Sequence, residues 1–206
     1  MAKKQKHQTS TLPWQGKGWR PEYKGLLPFE WVVLAYILFT SAIVLFTSTK
    51  MANPEAMIWG RIRVGTMTIA LWIVYRMLPC KLTMFMRVGA QMALLAWWYP
   101  DTFELNRLFP NLDHVLATWE QQLFGFQPAL VFARTFSSPI ISELMDCGYV
   151  SYFPMIATII LFYFFRRYDE FQRTVFVILA SFFTYYVIFD LVPVVGPTFY
   201  YKAIGL

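Results

Sequence analysis

The chain has 206 residues, of which 57% are hydrophobic, 19% aromatic and only 15% charged. A soluble domain of this size normally carries about 25% charged residues, and the deficit falls in apolar blocks of about 20 residues, the length that crosses roughly 30 Å of hydrocarbon. The net charge of +6 comes from lysines and arginines in short segments flanking those blocks, where charge sets orientation, so nucleic acid is excluded as a partner.

Residues 1–25 form a basic cytoplasmic tail holding Lys3, Lys4, Lys6, Lys17, Arg20 and Lys24, and residues 26–206 form one transmembrane helical domain. The apolar block Leu26 to Phe46 is too long for a cleaved signal and lacks a small-residue cleavage site, so it reads as an uncleaved first span. Trp14, Trp19, Tyr23 and Trp31 suit an interfacial aromatic belt. Asn53-Pro54 marks a turn, and a second span runs from about Ile58 to Leu78. Arg61 and Arg63 near its start either snorkel to the interface or point into the bundle. The third span, Met84 to Tyr99, is short and ends in Trp97-Trp98-Tyr99-Pro100, an anchor with a helix stop.

The polar connector that follows is the most informative stretch. From Leu112 to Phe124, apolar residues Leu112, Val115, Leu116, Trp119 and Leu123 recur at helical spacing while Asp113, His114, Glu120 and Gln121 fall away from them. Such a helix lies flat in the headgroup zone. Gly125 breaks it, and Phe126 to Phe136 is half the length of a span, hence interfacial or re-entrant. Ser138-Pro139 is a helix start with a capping hydroxyl, opening a fourth span that ends at Arg166-Arg167. A fifth, Arg173 to Leu191, stops at Val192-Pro193-Val194-Val195-Gly196-Pro197.

The expected architecture is therefore an all-α integral membrane protein, a bundle of about five transmembrane helices plus an interfacial amphipathic helix. With the N-terminus inside, twelve lysines and arginines fall on the inner side and six on the outer, which favours a cytoplasmic N-terminus in the inner cell membrane. The connector and the Gly-Pro end then share the outer face.

Chemistry-bearing residues are few. His114 is a candidate base or nucleophile, but no second histidine lies near enough to assist it, and a surface position on an interfacial helix is the simpler reading. Glu120 and Glu143 are the notable carboxylates, and Arg134 and Arg107 are candidate partners for Glu143; the two arginines could alternatively clamp a phosphate. Asp146 and Asp190 stand near span ends, and Asp190 could cap or pair there. No metal site assembles from one available histidine and scattered acids. Cys80 and Cys147 form no CxxC pair and read as small packing residues. Phe182-Phe183-Thr184-Tyr185-Tyr186 reads as lipid-facing or packing surface.

Taken in order, Asp113 with Glu120-Gln121-Gln122-Leu123-Phe124-Gly125-Phe126-Gln127-Pro128, then Pro139, Ser142-Glu143-Leu144, Gly148-Tyr149 and Tyr152, then Tyr185-Tyr186 and Pro193-Val194-Val195-Gly196-Pro197, resemble the type 2 phosphatidic acid phosphatase superfamily, in its inositol phosphorylceramide synthase-like branch. The likeness covers about residues 100 to 206. It implies an all-helical membrane enzyme acting on lipid phosphates without metal or cofactor, through a phosphohistidine intermediate, with basic residues stabilising the transferring phosphoryl group.

The departure is large. The family's Pro-Ser-x-His and later His-x-x-x-Asp motifs do not occur in these residues, its Lys-x6-Arg-Pro motif is missing, and His114 matches none of the catalytic histidines. The chain looks like the front two-thirds of such an enzyme, as a truncated, split or decayed copy. No catalytic residue is expected in it; Arg107, Arg134, Glu120, Glu143 and His114 remain candidates for contacting a lipid-phosphate substrate. Two other readings compete: a non-catalytic membrane subunit that binds a partner membrane chain, and a transporter, which the absence of an internal repeat disfavours.

Overall fold

The computed structural model describes residues 25–205. The basic tail and the anchors Trp14, Trp19 and Tyr23 lie outside the described residues. Eight α-helices follow one another: α1 (Pro28–Thr47), α2 (Pro54–Met77), α3 (Lys81–Asn106), α4 (Asp113–Phe124), α5 (Pro128–Thr135), α6 (Pro139–Arg166), α7 (Tyr168–Leu191) and α8 (Pro197–Ala203). Proline stands at the first turn of α1, α2, α5, α6 and α8, where its missing N–H costs nothing. Gly125, at φ 75°, closes α4 in the left-handed conformation expected of a C-terminal glycine.

α1, α2, α3 and α7 close a ring, each packed on the next, and α6 is added outside against α7. At its centre Tyr36 packs edge-on to Trp98 at 5.0 Å and against Phe183 at 4.9 Å. α1, α2, α6 and α7 are long and apolar enough to cross a membrane. α3 carries more charge, and it is buried through Met84, Val88, Leu95, Trp98 and Leu105.

Polar side chains cross this ring in tiers. At one end Arg87, fully buried, donates through Nε to Glu30 Oε1 at 2.8 Å and through Nη2 to Glu30 Oε2, with its guanidinium over the Tyr75 ring. Glu30 also accepts the Leu27 N–H at 2.7 Å. In the middle Gln91 donates to Thr68 at 2.8 Å. At the other end Arg61 is bound to Asp101 at 2.7 Å, to Thr40 at 3.0 Å and to the Met57 carbonyl. In lipid, helices gain little from hydrophobicity when they associate, so close packing and such bonds hold them.

Several expectations need correction. Pro100 does not stop α3, which continues to Asn106 because Thr102 and Leu105 are buried beyond the proline. The last long helix starts at Tyr168, five residues before Arg173, because Phe171 is buried in the ring. Of the two alternatives for Arg61 and Arg63, Arg61 takes the inward one and Arg63 is exposed. Ser138 occupies the N-cap of α6 but makes no side-chain capping bond. Cys147 is exposed on α6 and fills no packing role, while Cys80 is half-buried. The run Phe182–Tyr186 divides as expected, with Phe183 and Tyr186 in the packing surface and Tyr185 exposed.

Removing one member of the Arg87–Glu30 pair strands a buried charge, which typically costs about 3–5 kcal/mol. Arg87→Met is expected to lower stability by that amount in denaturant titration in detergent, and Glu30→Met/Arg87→Met to recover most of it. A double variant no better than the single one would show that the pair is not an isolated charge-compensating unit.

Candidate functional site

The residues brought together most specifically are at the end of the ring where α3 and α7 finish. The Asp113 carboxylate, in the first turn of α4, accepts the backbone N–H of Val195 at 2.8 Å and of Gly196 at 3.0 Å. Asn111 Nδ2 donates to Asp113 Oδ2 at 2.6 Å, and Leu112 N–H to the Pro193 carbonyl at 2.8 Å. An acid at a helix N-terminus is favoured by the helix dipole, so Asp113 serves its own helix and the Val192–Pro197 segment at once. Gly196, at φ 86° and ψ 162°, holds a conformation open essentially to glycine alone, and the chain turns there into α8.

A second knot joins α5 to α8. Gln127, just before α5, donates to the Ala117 carbonyl at 2.9 Å and accepts the Tyr201 hydroxyl proton. Burial pushes the Tyr201 hydroxyl pKa up, assisted by the Glu120 carboxylate. A third link is Asn106, which donates to the Phe189 carbonyl at 2.6 Å. The connector and the tail are therefore one layer at one end of the bundle.

The five candidates from the sequence are distributed over this layer and its margin. His114 is exposed on α4, one residue beyond the Asp113 clamp. Glu120 is half-buried on the same helix, close enough to Tyr201 to act on it electrostatically. Arg107 caps the end of α3 and pairs loosely with Glu104 at 3.8 Å, both exposed. Arg134 is exposed in the last turn of α5, and Glu143 is exposed near the start of α6. Among the described residues no two of the five share a hydrogen bond or ion pair. The suggested pairing of Glu143 with Arg134 or Arg107 is thus not present, because Arg107 turns to its own helix.

Among the described residues no three or more His, Cys, Asp or Glu are grouped to hold a metal ion. Asp190 does pair at the end of α7: it is fully buried and accepts the Tyr36 hydroxyl at 3.1 Å. Glu30, Arg87 and Asp101 were not distinguished by motif; the available signal was a charged residue placed inside or beside an apolar helical block. Asp113, whose role as a clamp has no local signature, stands out in the sequence only as an acid off the apolar stripe of this helix and as the first residue of the family-like pattern.

No family model, curated protein or solved structure matches this chain.

Asp113→Ala leaves two backbone N–H groups without acceptors, a loss of about 1–3 kcal/mol for each that stays buried. Amide exchange at Val195 and Gly196 is expected to accelerate several-fold while exchange in α1 to α3 stays unchanged. Unaltered exchange at both amides would show that the carboxylate does not hold the tail.

Proposed function

We propose that the chain is a membrane-embedded homologue of type 2 phosphatidic acid phosphatases and inositol phosphorylceramide synthase-like phosphoalcohol transferases, and that these 206 residues form its helical scaffold without the phosphoryl-transfer machinery. One observation carries this reading: Asp113 joins the start of the connector to Val195 and Gly196, so two of the sequence patterns behind the resemblance, 82 or more residues apart, meet at one end of the bundle. A lipid-phosphate enzyme needs such a layer at the headgroup level, because its substrate enters from the bilayer plane.

In this reading α3 is a fifth span, its charges met by Glu30 and by Arg61, and the N-terminus is cytoplasmic. α4 and α5 lie along the outer interface. Exposed Trp119, Leu123, Phe124, Phe126 and Phe132 support that position, since water would leave this surface uncovered. The catalytic motifs of the family do not occur within the chain, and Arg107, Arg134, Glu120, Glu143 and His114 remain candidates for headgroup contact only.

A second reading, a non-catalytic subunit bound to another membrane chain, is favoured by α6. Along its 28 residues Ile160 alone is buried. Stable one-to-one co-purification with another membrane protein, cross-linked through α6 positions, would favour it.

Two experiments test the main reading. Cysteines introduced at His114 and Lys202 are expected to react with an impermeant maleimide from the same, non-cytosolic side; labelling from opposite sides would break it. The purified 206-residue protein is expected to release no phosphate from phosphatidic acid and to transfer no phosphoalcohol headgroup. Turnover above a heat-inactivated control would overturn its catalytic silence.

A further inference from the structure

A cavity of about 360 Å³ opens at the same end of the bundle but on its α2–α3 side, away from the Asp113 clamp. Its polar lining comes from Asn53 at the start of α2 and from Asp101, Glu104 and Arg107 in the last turns of α3, with Trp97 and Met57 as its apolar walls. The size lies within the range of small-molecule sites. It lies level with the loop joining the apolar helices α1 and α2 and with the end of α3.

The charges on this lining are not equivalent. Asp101 is already satisfied, held by Arg61 at 2.7 Å with 9% of its side chain exposed. Glu104 and Arg107 are only loosely associated, at 3.8 Å, with 47% and 64% of their side chains exposed. One exposed acid and one exposed guanidinium, loosely paired with each other, thus flank the opening, and the Trp97 indole lines the cavity beside the buried pair. Trp97 is set there by Gly60: a Cβ at that glycine would come within 2.8 Å of Trp97 Cζ2. The ring therefore closes onto the α2 backbone and forms a wall of the cavity.

We propose that this cavity binds the headgroup of a zwitterionic phospholipid carrying a primary ammonium, of the phosphoethanolamine type. The ammonium sits against Glu104 and the Trp97 ring, and the phosphate against Arg107. A carboxylate accepts ammonium hydrogen bonds and an aromatic face attracts a cation, while the guanidinium fork matches phosphate oxygens. An anionic headgroup would leave Glu104 facing like charge. A quaternary ammonium offers no N–H to the carboxylate and is held best by a cage of several rings, where only one indole is present. The site lies apart from the α4–α8 layer, shares only Arg107 with the headgroup candidates above, and does not rest on the lipid-phosphate reading, so the Glu104→Gln variant reports on this site alone. Loss of one would leave the other standing.

The test uses the full chain in detergent, with phosphatidylethanolamine, phosphatidylcholine, phosphatidylglycerol or soluble glycerophosphoethanolamine added at matched concentrations. Retained lipid is read by native mass spectrometry and stability by thermal unfolding. Phosphatidylethanolamine is expected to be retained best and to raise the unfolding temperature. Glu104→Gln and Arg107→Gln, both at exposed positions that leave folding intact, are each expected to weaken its retention about tenfold, the size of one lost charge-assisted hydrogen bond. Equal retention of phosphatidylglycerol or phosphatidylcholine would overturn the proposal, as would unchanged retention in both variants. Displacement of the lipid by the soluble headgroup would overturn the lipid source.

Discussion

An arginine inside an apolar bundle must meet a carboxylate, and that requirement organises this molecule. Arg87 and Arg61 lie two tiers apart across the ring, and each is answered from a different helix: Glu30 on α1, Asp101 on α3. Between them Thr68 and Gln91 join α2 to α3. Sliding either helix by one turn would move a guanidinium away from its acid and into hydrocarbon. Pairs of this kind add little net stability over apolar packing, because desolvation offsets the attraction, but separating them is costly. Their contribution here is register: they allow α1, α2 and α3 one alignment, and the aromatic cluster of Tyr36, Trp98 and Phe183 then fits within it.

That alignment has a consequence at the end of the bundle. With α3 and α7 fixed alongside each other, Asn106 reaches the Phe189 carbonyl and Leu112 reaches Pro193. Asp113 is then positioned to take the two amides that no helix can satisfy after Leu191. The surface layer of α4, α5 and α8 is thus built on the ring and contributes little to holding it. Its own contacts are polar and directional, while its apolar residues, Trp119 and Phe124 among them, remain exposed.

Sequence reasoning reached the helical class, the turn at Gly125 and the start of α6 at Pro139, because these follow from local chemistry and from long apolar blocks. It misjudged Pro100 because the rule against proline in helices weighs one lost bond, whereas burial of Thr102 and Leu105 decides the matter further along. It did not distinguish Glu30, which stands beside Pro28 and Phe29 and looks like an ordinary first-turn acid. Nor did it separate Arg61 from Arg63, two residues apart, of which one is buried and the other exposed. Their roles depend on which face of a helix meets a partner, and a helix apolar on most sides carries almost no such signal. The candidate site was legible only as a region: the connector and tail do meet, but the residues that join them are Asp113, Gln127 and Tyr201.

α6 is 28 residues long, about 42 Å at the rise of an α-helix, against a hydrocarbon slab of roughly 30 Å. A helix of that length crossing the slab must lean or protrude; upright with Arg166 at one boundary, it would carry its first two turns, with Glu143 and Asp146, clear of the acyl chains. Pro154 lies near its middle, and α7 is the main support beside it. The angle between α6 and α7 is then set partly by bilayer thickness, so a thicker membrane would straighten the helix and a thinner one would tilt its acidic head across the surface.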